Sequence, residues 1–321
     1  GANNVAVGYG ALDANTTASN NTALGYDSLG ANTTGATNTA IGANAMVSNT
    51  TASNNVAVGY ASLDANTTGA ANTAIGTSAL GANTTASNNV SIGYDSMLVN
   101  TTGADNVAVG TYALDANTTG AYNTALGKSA LSANTTANDN TAVGTNALLV
   151  NTTGATNTAL GNSALYSNTT AADNVAVGKN ALLSNTTGAR GTAVGAYALD
   201  ALTTAADNTA VGANALGANT TGDQNTAVGS TSMDATTTGR NNTAVGYTSL
   251  GANTTGSNNT AMGINSIASN TTGDDNVGIG DGALYATTTA SGNTAVGKNS
   301  LNLNTTGVDN VAIGRYALDA N

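Results

Sequence analysis

The chain has 321 residues, and it contains no Cys, His, Pro, Trp, Phe or Glu. Charged residues make up 7%, far below the roughly 25% of an ordinary soluble domain, and the net charge of −11 rests on Asp without any basic patch, which sets aside nucleic acid and anionic lipid as partners. No apolar run approaches the ~18 residues of a membrane span, and the scarcity of helix formers other than Ala and Leu argues against long helices.

Organisation shows first in the glycines. Gly8, Gly25, Gly42, Gly59 and Gly76 each follow an aliphatic residue at a spacing of 17, and the series runs without a slip to Gly314. Numbering each unit from its Asn (Asn4, Asn21, Asn38 and onward to Asn310) gives the consensus N-[TV]-A-[VIL]-G-x-x-[AS]-[LM]-x-x-N-T-T-[GA]-x-x over about 19 units. A disordered tract tolerates insertions, whereas stacked coils do not. The strict period therefore predicts an all-β parallel β-solenoid, a β-roll with one 17-residue coil per unit, continuous over 1–321 as a single domain. At about 4.8 Å per coil it would be roughly 90 Å long.

Within the unit, positions 2–4 and 9–13 are expected as strands. In the first, positions 2 and 4 (Val5 with Val7, Thr22 with Leu24, Thr39 with Ile41) share one face, read as inward. Ala6, Ala23, Ala40, Ala57 and the Gly row share the other. In the second, Leu12, Ala14 and Thr16 share a face, and the freely varying position 10 (Asp13, Gly30, Val47, Tyr166) faces out. Gly at position 5 is expected at φ > 0 on the corner, where it costs least. Gly or Ala at position 15 (Ala18, Gly35, Ala52, Gly69) marks the other turn, and Asn at positions 1 and 12 should stack into ladders from coil to coil.

A core of two large aliphatics per coil is thin against the entropy of ordering the coil. The flat Ala/Gly face is accordingly expected to pack on neighbouring copies in a closed assembly. Asn55-Val56-Ala57-Val58-Gly59-Tyr60-Ala61-Ser62 resembles the head repeat of trimeric autotransporter adhesins, and the whole chain carries that core. It is also similar to repeats of phage tail fibres and of large secreted proteins that end in an intramolecular chaperone domain. The resemblance implies a left-handed β-roll, a homotrimer, and a place at a bacterial surface or on a virion tail. The family's repeats are usually shorter than this one, and its coiled-coil stalk, neck and anchor are not among these residues.

The functional expectation is a structural fibre, stalk or adhesin shaft, extracellular and self-associating. The alternative is a binding module whose outward Thr, Asn and Tyr positions recognise a receptor, a glycan or ice. No catalytic, cofactor or metal residues are assigned, and an enzyme is not expected, because a positioned base, nucleophile or metal has no constant candidate. Lys128, Lys179, Lys298 and Arg315 sit at the variable corner without a constant partner; Asp274, Asp275 and Asp281, and the recurring Asp105, Asp139, Asp173 and Asp207, form no continuous calcium ladder. Asn-Thr-Thr has the form of a glycosylation sequon in nearly every unit, but it reads as a structural Asn/Thr ladder. Thr17, Thr34 and Thr51 form the outward Thr row, and Tyr9, Tyr26, Tyr60, Tyr94 and Tyr247 lie at the corner, open to sugar or protein. The start at Gly1, the stop within a unit at Asn321, and end units that match the interior suggest an excerpt of a longer chain or a filament of stacked copies.

Overall fold

The computed structural model describes residues 1–319; the stop at Asn321 lies outside them. The chain divides by its internal contacts into two units, Gly1–Asn157 and Thr158–Asn321. Unit 1 holds β1 (Val5–Val7) through β9 (Thr141–Val143), and unit 2 holds β10 (Thr158–Leu160) through β19 (Val311–Ile313). Every strand has three residues and begins at position 2 of a repeat, and the described residues contain no helix. Within each unit successive strands pair parallel and in register at a shift of one repeat, as in Val5↔Thr22, Ala6↔Ala23 and Val7↔Leu24, or Thr192↔Thr209 and Val194↔Val211. A parallel β-solenoid with a 17-residue coil is thus the fold.

The corner behaves as expected. Gly8, Gly25 and Gly42 have φ of 134°, 140° and 134°. A Cβ on Gly25 would collide with the carbonyl of Gly42 in the next coil, so the position needs both the conformation and the missing side chain.

Two sequence expectations are overturned. First, the faces of the strand are reversed. Ala23, Ala40, Ala57 and Ala74 are wholly buried, whereas Val7, Leu24 and Ile41 are exposed. The coil is so narrow that the inward position of its strand admits only a methyl group, and the larger aliphatics are turned out. The Ala face therefore cannot be an interface between copies. Second, no residue of positions 9–13 is in a strand: positions 9–11 form a turn, and positions 12 and 13 are irregular. Leu12, Leu29 and Met46 have φ of 53°, 52° and 50°, and Leu29 N–H donates to the Ala45 carbonyl of the next coil at 3.0 Å. A left-handed conformation costs a non-glycine residue about 1–2 kcal/mol, which full burial of a Leu side chain, about 1.5–3 kcal/mol, offsets. The position 9 row is buried as expected, but by a kink rather than by strand alternation. Position 12, not position 11, is its neighbour in the core: Asn32 and Asn49 are fully buried, whereas Ala14 and Ala31 are half-buried.

The core of a typical coil is thus one large aliphatic, Leu, Met or Ile267, with small residues at positions 3, 8 and 15, and two Asn. Both Asn rows form ladders, in two different ways. At position 12 the amides bond one another, Asn49 Nδ2 donating to Asn32 Oδ1 at 2.9 Å and Asn66 Nδ2 to Asn49 Oδ1 at 3.0 Å. At position 1 the side-chain oxygen accepts the backbone N–H of the next Asn, as from Asn38 N to Asn21 Oδ1 at 2.9 Å. Both amides also donate to the carbonyl of position 15, Asn21 and Asn32 each reaching Gly35 O at 2.9 Å. These buried amides are affordable only because each is hydrogen-bonded.

Candidate functional surfaces

Each strand turns positions 2 and 4 outward, and the register stacks them into two adjacent rows. In unit 1 these rows carry Val5, Thr22, Thr39 and Val56 beside Val7, Leu24, Ile41 and Val58; in unit 2, Thr192, Thr209, Thr226 and Thr243 beside Val194, Val211, Val228 and Val245. No coil places a charged residue at either position. Val211 and Val228 are each 37% exposed and Leu126 is 46% exposed, so a continuous strip of aliphatic side chains faces solvent along each unit. Soluble monomers rarely leave contiguous apolar surface of this kind open.

The second outward row is Thr at position 14. Thr17, Thr34, Thr51 and their equivalents are exposed in every coil, as expected. Their position 13 neighbours are half-buried and structural: Thr33 Oγ1 donates to Thr50 O at 3.0 Å and Thr50 Oγ1 to Thr67 O at 3.2 Å. Asn32 and Asn49 do not flank this row, because they point into the core. For the same reason the folded coil cannot present the Asn of Asn-Thr-Thr for glycosylation.

The third surface is the corner formed by positions 6, 7 and 10. Tyr9, Tyr26, Tyr60, Tyr94 and Tyr247 are exposed there. Tyr9 and Tyr26 stack with centroids 5.5 Å apart, and Tyr94 meets Tyr112 edge to face at 5.7 Å. Three of the five cations of unit 2 find partners here, differing from coil to coil. Lys179 lies 5.4 Å from the Tyr197 ring centre and Arg315 4.9 Å from that of Tyr316, and Lys298 Nζ is 2.9 Å from Asp281 Oδ2. Burial pushes the position 10 carboxyls of Asp64, Asp115, Asp200 and Asp234 above the usual range.

The acidic residues do not converge. Asp274 accepts the Ser257 N–H, Asp281 pairs with Lys298, and Asp105 accepts the Asn88 amide. Asp207 pairs with Arg190, which holds its carboxyl below the usual range. Among the described residues no group of three or more His, Cys, Asp or Glu could hold a metal ion, and no helix is long and apolar enough to cross a membrane. Position 17, where Asp and Asn recur, has φ near 60° (Asn20 63°, Asp105 59°, Asp139 60°). These residues tolerate that conformation best, so their recurrence is a backbone signal.

No protein-family model matches the chain, and no curated protein does.

Proposed function

We propose that the chain is a structural shaft that self-associates through the outward aliphatic strip of positions 2 and 4. The observation that carries this reading is the strip itself: uncharged in every coil, solvent-facing, and regular along the stacking direction. Such a surface suits a copy of itself in parallel, because the same row then meets the same row at the same period. Three copies turning their strips toward a common axis would bury them, in keeping with the homotrimers of the adhesin heads that the repeat core resembles. An extracellular setting, on a bacterial surface or a virion tail, belongs to the same reading.

Sedimentation equilibrium tests it. The wild-type chain is expected as an oligomer at micromolar concentration, and Val211→Asp combined with Val228→Asp is expected to dissociate it while leaving the β spectrum intact. A wild-type monomer would overturn the proposal. The exposed Thr row of position 14 supports a second reading, a binding module for a receptor, glycan or ice. Loss of ligand or ice adsorption on Thr→Ala exchange along that row would favour it over the shaft.

A further inference from the structure

Coils 1 to 3 of unit 1 carry a hollow of about 560 Å³, open to solvent, with Tyr9, Asp13, Asp27 and Val47 around a floor of Gly10 and Gly30. The sequence opens it. Position 7 is usually a side chain held at positive φ, but here it is Gly10 (φ 65°), and the Asp27 carboxylate leans into the place a Gly10 Cβ would take. Position 10 is Gly30, as it is Gly81, Gly217 and Gly251 in other coils, but only at Gly30 does it stand with a Gly at position 7 of the preceding coil. Tyr9, 78% exposed, closes one side and stacks on Tyr26 outside it.

What the hollow lacks is a counter-charge. The first Lys or Arg in the chain is Lys128, so no cationic side chain lies in these coils. Unit 2 supplies the template for what fits. On the same corner Lys179 sits over Tyr197, Arg315 over Tyr316, and Lys298 against Asp281. There an aromatic face or a carboxylate at positions 6 and 7 is met by a cation of the chain itself. In the hollow two carboxylates and an aromatic ring stand together without one.

We propose that this hollow is a binding site for a guanidinium or ammonium group, the Arg or Lys side chain of a polypeptide partner. The alkyl stem lies along Val47, the cationic head meets the Asp13 and Asp27 carboxylates, and the Tyr9 ring adds cation–π attraction. The proposal does not depend on how copies of the shaft associate.

The test is a titration of the full chain, with ¹³C-labelled Tyr rings, by an acetylated tri-arginine amide, its citrulline counterpart serving as the neutral control. The Tyr9 and Tyr26 resonances are expected to shift with the arginine peptide alone, and less as salt is raised. Asp13→Asn with Asp27→Asn should weaken binding by about tenfold or more, the scale of one lost cation contact. Gly30→Lys, at a position that elsewhere carries many side chains, should fill the hollow with an internal cation and abolish the shift without disturbing the fold. Equal shifts with the citrulline peptide, a shift by methyl glucoside instead, unchanged binding in both variants, or no shift at Tyr9 and Tyr26 would each overturn the proposal.

Discussion

Unit 1 and unit 2 are built on the same coil but differ in how strictly they keep it. In unit 1 Asn occupies positions 1 and 12 of every coil, from Asn4 and Asn15 to Asn140 and Asn151. In unit 2 Gly191 interrupts the first row, and Leu202, Thr236 and Thr287 interrupt the second. The way the neighbours respond shows what the ladder does. Ahead of Leu202 and Thr236, Asn185 and Asn219 turn the oxygens that a following Asn amide would have met back to the N–H of Gly188 and Gly222, at 3.1 and 2.9 Å. Leu202 itself is buried. Thr236 keeps a long contact to the Asn253 amide, and Thr287 Oγ1 donates to Asn304 O at 2.9 Å. A break is thus tolerated where the flanking amides find local partners, and unit 2 compensates locally for a regularity it has lost.

A charge in the core should be the most damaging change, and should damage both units alike. Ala57→Arg in unit 1 and Ala210→Arg in unit 2 replace wholly buried methyl groups, and each should cost several kcal/mol because the interior offers no counter-charge. Circular dichroism melting would show it; a tolerated arginine at either site would mean that the strand faces are assigned wrongly.

Breaking the intact ladder comes next. Asn83→Leu copies the unit 2 interruption into unit 1, where Asn83 links Asn66, Asn100 and Ala86. A loss of about 1–3 kcal/mol is expected, since buried partners are left unsatisfied. The reverse change, Leu202→Asn, should gain less, because the flanking amides are already satisfied. Equal and opposite effects in chemical denaturation would argue against local compensation.

A third test uses a pair found only in unit 2. Ile267 is the one Ile at position 9 and holds φ 50°, and Gly278, the one Gly at position 3, faces it. A Cβ on Gly278 would lie 2.6 Å from Ile267 Cγ1. Gly278→Ala should therefore destabilise by about 1–3 kcal/mol from overpacking. Adding Ile267→Leu should remove most of that cost, a coupling a double-mutant cycle would detect.

The smallest effect is on pH. Asp64 and Asp115 in unit 1, and Asp200 and Asp234 in unit 2, have carboxyls raised by burial. Their ionisation is disfavoured in the fold, so the stability they give is present below the ordinary Asp pKa and lost as pH rises through the raised one. Melting temperature should rise slightly between neutral pH and about pH 4, and Asp64→Asn with Asp115→Asn should flatten that rise. Asp207, lowered by Arg190, acts in the opposite sense in unit 2.

The period, the corner glycines, the buried Leu row and the Asn ladders were legible in the sequence because each is a residue type confined to one position. The strand faces defy the size rule, because the narrow coil admits only a methyl group and turns its larger aliphatics outward. The better signal was present: position 3 is Ala in every coil but those of Ser91 and Gly278, while position 4 ranges over Val, Leu, Ile and Met. Position 3, held to one small residue, is sterically enclosed, and position 4, where the aliphatic varies down to Val, is open. The kink at position 9 left no trace, since Leu is not a residue that marks positive φ. The hollow beside Tyr9 was visible only as an exposed tyrosine, because its walls come from three successive coils.

The most direct test is thiol reactivity, for which the cysteine-free chain is suited. Single variants Val228→Cys and Thr221→Cys place a thiol on the aliphatic strip and on the outward Thr row. Thr221→Cys should label rapidly at any protein concentration. Val228→Cys should be protected at micromolar concentration and become reactive on dilution, as the strip parts from its copies. Labelling of Val228→Cys as fast as Thr221→Cys at every concentration would contradict the claim that this chain associates through the outward face of its strands.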